Sequence, residues 1–372
     1  MNIEIIGSRG YPFSYASAED MVREISPRLV RDGHKVTVHC WADYDDGIAG
    51  KKEDVYQGVI RKFHKTRPGK ISGQFIVALK SSISAAMSDS DIVFYIFVNS
   101  AIFGWIPKLF GKKIFTNING IMWKDPKWPV IIRHIFFPLA AYISIFIGRA
   151  ITDSRHMQAL YKKKFLVNIN WIGYGCSIDA PPREPIDMVN KYPQGYYLIM
   201  SRITPHNLTD IMVDGFIQSN STSQLIIAGH IPNNIWFTKM FENIKDQNVT
   251  FLGLVKDQKY LTQLILNCRA YLHGHSLGGI NPALVRVTGL GIPAICVDTI
   301  FNREVVEDLN GKLQACLFQK NPFSVSQAIN EFEQHESKCR EDSIILSNAV
   351  KEKMSWEKIY QEYKTEFINL VD

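Results

Sequence analysis

The amino-acid sequence predicts an α/β protein built on doubly wound parallel sheets. Three observations carry this expectation. Short apolar runs alternate with stretches of helical apolar spacing along most of the chain, which is the pattern of successive βαβ units. At 372 residues the chain is longer than one ordinary core accommodates, so two domains are expected. Between two such alternating regions, residues 173–193 are rich in Gly and Pro and show no clear apolar period. The expected division is 1–175, a linker at 176–192, a second domain at 193–354, and a closing helix at 355–372.

Residues 2–7 read as the first strand and 8–17 as a loop. From Glu19 onward, Met21, Val22, Ile25 and Leu29 give a helix that stops at Asp32-Gly33, and 35–41 form a second strand. The loop therefore lies at the carboxyl end of the first strand, the usual ligand edge of such a sheet. Residues 55–63 read as one strand, 73–87 as a helix, 91–98 as a strand, and 112–118 as a strand ending in the Asn119-Gly120 turn signal. Strand 150–154, helix 155–165 and strand 166–172 complete the first half. The second half restarts with strand 196–200 and helix 207–218. Strand 224–229, a helix near 234–244, strand 249–253 and helix 258–268 follow. An acidic helical region at 324–350 and an amphipathic helix at 355–370 end the chain.

The most apolar stretch, 129–148, is broken by Arg133, His134 and Pro138. A spanning helix needs about 20 nearly uninterrupted apolar residues. The stretch therefore reads as an interfacial or partly buried helix, ahead of a core helix and a spanning one. Charge supports the interfacial reading. Residues 1–185 carry 25 Lys+Arg against 16 Asp+Glu, and 108–164 alone holds eleven basic residues with only Asp125 and Asp153 as acids. Apolar area beside Lys and Arg is a composition that binds anionic lipid. Nucleic acid is not an expected partner, because the basic segment coincides with an apolar helix rather than an aromatic-interleaved groove. Six cysteines without CxxC spacing read as core thiols, and the N-terminus, which leads straight into a strand, gives no signal peptide. A cytoplasmic protein, peripherally associated with the inner face of the cell membrane, is the expectation.

Residues 271–304 organise the chemistry. A short apolar run leads into a turn with two histidines and Gly278-Gly279. Then Leu284, Val287 and Thr288 mark a helix, with Pro282 suited to its first turn and Gly289 and Gly291 to its end. At the carboxyl edge of a parallel sheet, this unit presents free N–H groups and a helix N-terminus to an anion such as a diphosphate. On spacing alone a tight turn is the simpler reading, since GxGxxG is absent here and after the first strand.

The motifs GSRGYP (7–12), NINGIMWKDPKW (117–128), ITDS (151–154), SRITPHN (201–207), GLVKDQKYL (253–261), HGHSLGGINPAL (273–284) and FNREV (301–305) together resemble bacterial family 4 glycosyltransferases of the GT-B fold. The similarity is to the rhamnosyltransferase-like branch that builds surface polysaccharides such as O-antigen. The resemblance implies two Rossmann-like domains with parallel sheets facing across a cleft, the second binding a nucleotide-diphospho-sugar and the first an acceptor. It also implies a closing helix that returns to the first domain. Arg202 matches the arginine that grips the donor diphosphate, a role suited to a bidentate guanidinium. The implied donor set is Arg202, Gly229, Lys256, His273, His275, Ser276, Gly278, Gly279, Asn281, Pro282 and Arg286. The implied acceptor side is Arg9, Gly10, Tyr15, Glu19, Asn119 and Trp123, with Arg202 and Asn119 as the catalytic pair. The resemblance implies neither metal nor cofactor, and a lipid-linked oligosaccharide as acceptor.

Several positions depart from the branch: Asn119 and Met122 stand where it carries Asp and Glu, Arg286 where a glutamate holds the donor ribose, and the loop it writes YGGFET reads YASAED at 15–20, keeping Glu19 but losing both glycines. Two expectations follow, an active retaining transferase with altered donor recognition, or an inactive paralogue that binds a nucleotide, a glycan or a partner.

Overall fold

The run Ile92–Ile96 is buried at every residue, as a parallel strand covered on both faces must be. In the computed structural model, which describes residues 1–12, 17–42, 50–66, 71–124, 128–177, 179–230 and 248–372, runs of this kind build two sheets. The chain divides into two compact units, Met1–Tyr174 with Trp356–Asp372, and Gly175–Ser355.

The first unit holds β1 (Asn2–Ile6), β2 (Lys35–Trp41), β3 (Glu53–Tyr56), β4 (Val59–His64), β5 (Ile92–Ile96), β6 (Lys113–Asn117), β7 (Arg149–Thr152) and β8 (Asn170–Trp171). They lie in the order β3-β4-β2-β1-β5-β6-β7-β8, all parallel except the edge strand β3. The second unit holds β9 (Tyr196–Met200), β10 (Gln224–Ala228), β11 (Val249–Gly253), β12 (Ala270–His273), β13 (Ala294–Val297) and β14 (Cys316–Phe318). Their order is β11-β10-β9-β12-β13-β14, parallel throughout. Its core packs Tyr197, Ile199, Leu225, Ile227, Leu272 and Ile295 from the strands against Phe216, Val325, Ile329 and Phe332 from helices.

Several local expectations are corrected. Residues 55–63 are not one strand but a hairpin, because Gln57 (φ 50°) and Gly58 (φ 77°) take left-handed conformations and reverse the chain. The 324–350 region is two helices, Pro322–Gln334 and Glu336–Met354, broken at His335 (φ −125°). Strand 166–172 shrinks to β8, since Leu166 (φ 59°) is the left-handed cap of the helix Arg155–Phe165. The 129–148 stretch forms a π turn, Ile132–Phe136, that runs into the helix Phe137–Phe146. Among the described residues no helix is long and apolar enough to cross a membrane. The helix expected near 234–244 falls outside the described residues, as does Tyr15. All six cysteines are free thiols.

The helix Trp356–Val371 belongs to the first unit, where its apolar face covers β5 and β6. Tyr363 and Phe367 meet Phe94 and Phe115 at ring distances of 5.0–6.2 Å, and Asn117 Nδ2 donates to the Tyr363 hydroxyl (2.6 Å). Tyr360 donates to Asp32 at the end of the helix Ser17–Arg31 (2.7 Å). One buried polar cluster sits on the same sheet. Glu4 of β1 accepts from His39 Nε2 of β2 (2.9 Å) and Lys62 of β4 (3.1 Å), and His39 Nδ1 lies 2.7 Å from His64 Nε2. Burial would raise the Glu4 carboxyl, but His39 and Lys62 outweigh it and hold it down to about 2. Burial first, then the positive neighbours, lower His64 to about 4.

Candidate active site

In the second unit the neighbouring strands β9 and β12 end side by side, and the segments leaving them carry most of the donor-side residues. After β9 come Ser201, Arg202, Thr204 and a short 3-10 turn, Pro205–Asn207. After β12 comes the turn 274–281, which leads into the helix Pro282–Gly289. Two hydrogen bonds from Ser276, through its amide and its hydroxyl, reach the His206 carbonyl (both 2.9 Å) and tie the segments together. The helix begins where expected because Asn281 caps it, its Oδ1 accepting from the Ala283 amide (2.9 Å), with Pro282 at the first helical position.

Gly278 (φ 58°) and Gly279 (φ 76°) are both left-handed, a pair of conformations that residues with a Cβ rarely adopt in succession. Among the described residues, no backbone acceptor meets the amides of Gly278, Gly279, Ile280 or Asn281. Four free N–H groups at a helix N-terminus form a concavity for an anion. Gly229, which follows β10, is required by close approach: a Cβ there would stand 1.8 Å from the Ser201 carbonyl oxygen.

The two histidines are fixed through separate chains of donors. The Tyr271 hydroxyl donates to the Met200 carbonyl (3.1 Å), so it accepts from His273 Nδ1 (3.2 Å). This network assigns the proton to Nδ1 and leaves His273 Nε2 a buried lone pair without a partner. In the second chain, Asn207 Nδ2 donates to the Arg202 carbonyl (2.5 Å), and His275 Nδ1 donates to Asn207 Oδ1 (2.9 Å). Burial, reinforced by His275, lowers His273 to about 3. Burial and His206 lower His275 to about 4, with the backbone at Gly278 and Leu277 working the other way. Both rings are therefore neutral near pH 7, polar without adding charge.

Arg202 is exposed, and among the described residues no carboxylate pairs with its guanidinium. Its carbonyl accepts from Asn207 Nδ2, and Asn207 in turn holds His275, so the segment bearing Arg202 is linked to the turn. Lys256, exposed beyond β11, stands on the far side of β10 from this pair of strands. Arg286 turns the same way, its guanidinium donating to Gln258 Oε1 (3.2 Å) and Thr262 Oγ1 (2.7 Å) on the helix Gln258–Asn267.

The first unit treats its predicted residues differently. Arg9, Gly10 and Glu19 gather at the end of β1, whereas Asn119 and Trp123 follow β6, with β5 between. Glu19 is 3% exposed and accepts from the Arg9 amide (2.8 Å), while the Arg9 guanidinium stacks on Trp41 (5.7 Å). Gly10 is buried against Cys40. Trp123 packs into Tyr161 (5.5 Å) and lies under Lys164 (5.0 Å), a core position rather than an open one. Asn119 is half-buried, and its Oδ1 is enclosed without a partner. Among the described residues no group of three or more His, Cys, Asp or Glu is placed to hold a metal ion.

Sequence reasoning missed the supporting residues. Asn207 orients His275, and buried Asn302 donates to the carbonyls of His275 (3.2 Å) and Val297 (2.9 Å), stapling the turn to β13. Both lie inside motifs singled out above, yet nothing in their spacing points to partners so far away in the chain.

No protein-family model matches the chain, and no curated protein matches it in sequence. Solved structures do match over its whole length. A sucrose-phosphate synthase from Thermosynechococcus elongatus superposes with a TM-score of 0.82 at 14% identity, over 99% of this chain and 98% of that one. HepE of Anabaena, in complex with UDP and glucose, gives 0.78 at 16% identity over 99% and 100%. A UDP-forming trehalose-phosphate synthase from Burkholderia xenovorans gives 0.74 at 7% over 100% and 99%. The fold is GT-B. In GT-B terms, the second unit carries, at the carboxyl edge of its parallel sheet, the turn with free amides and an arginine that no carboxylate pairs among the described residues.

Proposed function

We propose that the protein is a retaining glycosyltransferase that moves a hexosyl group, rhamnose or another hexose, from a nucleotide-diphospho-sugar to a hydroxyl of a lipid-linked or glycan acceptor. The family 4, rhamnosyltransferase-like reading of surface-polysaccharide assembly is part of this proposal. One observation carries it: the segment bearing exposed Arg202 is hydrogen-bonded to the turn that holds the free amides of Gly278–Asn281, on a fold whose solved neighbours include a sucrose-phosphate synthase and a protein bound to UDP. That arrangement suits a diphosphate better than a neutral ligand.

In this reading the donor C1–O bond breaks and the diphosphate leaves with the electron pair. The acceptor hydroxyl bonds to C1 on the same face, and its proton passes to a phosphate oxygen of the leaving group. Arg202 and the four amides stabilise the charge that develops on the diphosphate, Lys256 approaches the donor from the β11 side, and the step needs no metal or cofactor. His273 Nε2 and Ser276 serve sugar hydroxyls. Arg9 and Asn119 belong to the acceptor side, with Glu19 holding the Arg9 loop in place.

Full-length protein incubated with dTDP-, UDP- and GDP-sugars tests the proposal, with the release of nucleoside diphosphate as readout and melting temperature as a second. Turnover of one donor class, together with a melting shift by mass action, is expected. A melting shift without turnover in the presence of lipid-linked acceptors would replace the enzyme with a nucleotide-binding paralogue. Neither signal with any donor would remove the site itself.

A further inference from the structure

The helices on one side of the first unit's sheet are apolar on the face turned away from it. In the segment 130–146, Ile131, Ile135, Leu139, Tyr142 and Phe146 recur at steps of four, four, three and four, the repeat of one helix face. All five are exposed, Ile131 at 72%, while Phe137, Ala140, Ala141 and Ser144 on the other face are buried. A soluble helix ordinarily turns polar residues outward, so this one is unusual in its outer face. Neighbouring helices continue the surface. Leu79, Ile83 and Met87 are exposed at steps of four along and just beyond the helix Ile71–Ala86, and Trp105, Leu109 (75%) and Phe110 are exposed on and after the helix Trp105–Leu109. The latter two helices touch, and Phe75 meets Phe136 at 5.4 Å. Gly104 backs onto Ile147, where a Cβ would stand 2.7 Å from its side chain, joining the end of the 137–146 helix to the start of the 105–109 helix.

The charge on this surface has one sign. The helical segments 71–86, 98–101, 105–109 and 132–146 contain no Asp or Glu; Lys80 and Lys108 are exposed on them, and Lys113 is exposed at the start of β6, four residues after the helix Trp105–Leu109. Among the described residues, the acids that follow the helix Ile71–Ala86 in sequence are engaged elsewhere, Asp89 with Lys35 (3.2 Å) and Asp91 with the Asn2 amide (2.7 Å).

We infer that this face is the docking surface for an anionic phospholipid bilayer, with the Ile131–Phe146 stripe and Leu109 and Phe110 entering the boundary between headgroups and acyl chains. Lys80, Lys108 and Lys113 face lipid phosphates, and Trp105 and Tyr142 sit at headgroup depth. A patch this wide on a monomer's surface marks an interaction site. A second copy of the chain fits it poorly, because an isologous contact would bring like-charged lysines together, and these helical segments contain no acid to offset them. The inference rests on this surface alone and stands or falls separately from the transfer reaction.

Co-sedimentation of the full chain with vesicles of phosphatidylcholine, with and without phosphatidylglycerol, tests it. Binding to the anionic vesicles is expected, weakening as salt is raised. Lys108→Glu/Lys113→Glu lowers the partition by about tenfold or more, since each basic residue near an anionic surface accounts for roughly a fivefold change. Ile135→Glu/Leu139→Glu, at exposed positions where the fold is indifferent, abolishes binding while the melting temperature holds. Binding that ignores lipid charge and salt, or that survives Ile135→Glu/Leu139→Glu, overturns the inference. So does light scattering that shows a dimer dissolved by the same pair of substitutions.

Discussion

The carboxyl edges of the two sheets offer a direct contrast. In the second unit, the polar groups that leave β9 and β12 are held in place by neighbours yet keep their working atoms unused: the Arg202 guanidinium, the four amides at 278–281, and the His273 Nε2 lone pair. In the first unit, the groups at the end of β1 are spent on one another, Glu19 on the Arg9 amide and the Arg9 guanidinium on Trp41. Among the described residues, the enclosed atoms without a partner near that edge are uncharged ones such as Ser8 Oγ, Asn117 Oδ1 and Asn119 Oδ1. A charged residue at a sheet edge is thus not by itself a ligand group. What distinguishes a site is valence that the fold has positioned and not consumed.

The sharpest way to break this contrast is Arg202→Ala, which is expected to lower transfer by about 10²-fold or more, the scale of losing one transition-state charge donor. Steady-state rates against wild type check it, and a near-normal rate removes Arg202 from the chemistry. Gly229→Ala comes next. Its new Cβ would meet the Ser201 carbonyl, so a backbone shift costing about 1–3 kcal/mol is expected, seen as a lower melting temperature. Glu19→Gln probes the opposite edge: it weakens a buried bond to the Arg9 amide and costs about 1 kcal/mol of stability, while the rate per folded molecule is kept. A large loss of rate at unchanged stability would place Glu19 among the reacting groups instead.

Acid sharpens the comparison further. His273, His275 and His64 have folded values near 3, 4 and 4 against an ordinary 6.5, so the fold favours their neutral forms. Their contribution is complete above pH 6.5 and drains away as pH falls toward those folded values. Glu4, held near 2 against an ordinary 4.5, contributes fully above 4.5 and loses its share as pH falls toward 2. Melting curves between pH 7 and pH 3 are expected to decline steadily, and His64→Asn to flatten only the first unit's part of the upper window. The smallest effect is expected of Asn281→Ala, which removes the cap of the Pro282–Gly289 helix at a cost of about 1 kcal/mol.

The sequence was most informative where local chemistry and tertiary packing agree. Ile92–Ile96 and Ala294–Val297 are strands because continuous apolar runs suit positions buried on both faces, and Asn281-Pro282 starts a helix through a cap that is local. The hairpin at Gln57-Gly58 was hidden because Gln is not a usual left-handed residue, so nothing marked the turn. Val98–Ala101 and Trp105–Leu109 were hidden because helices of four and five residues are too short to show a period. At the site, residue types were legible but their states were not. The tautomer of His273 depends on Tyr271 and Met200, and that of His275 on Asn207, 68 residues away. That Glu19 is engaged with the Arg9 amide is likewise something no periodicity announces.

The helix Trp356–Val371 sets a timetable for the protein's birth on the ribosome. The strands β5 and β6 are made early, yet Phe94 and Phe115 receive their cover from Tyr363 and Phe367, which emerge among the last residues of the chain. Throughout synthesis of the entire second unit, the nascent first sheet carries an uncovered aromatic face. A chain stalled or truncated before residue 356 therefore presents a ready client for chaperones and a seed for aggregation.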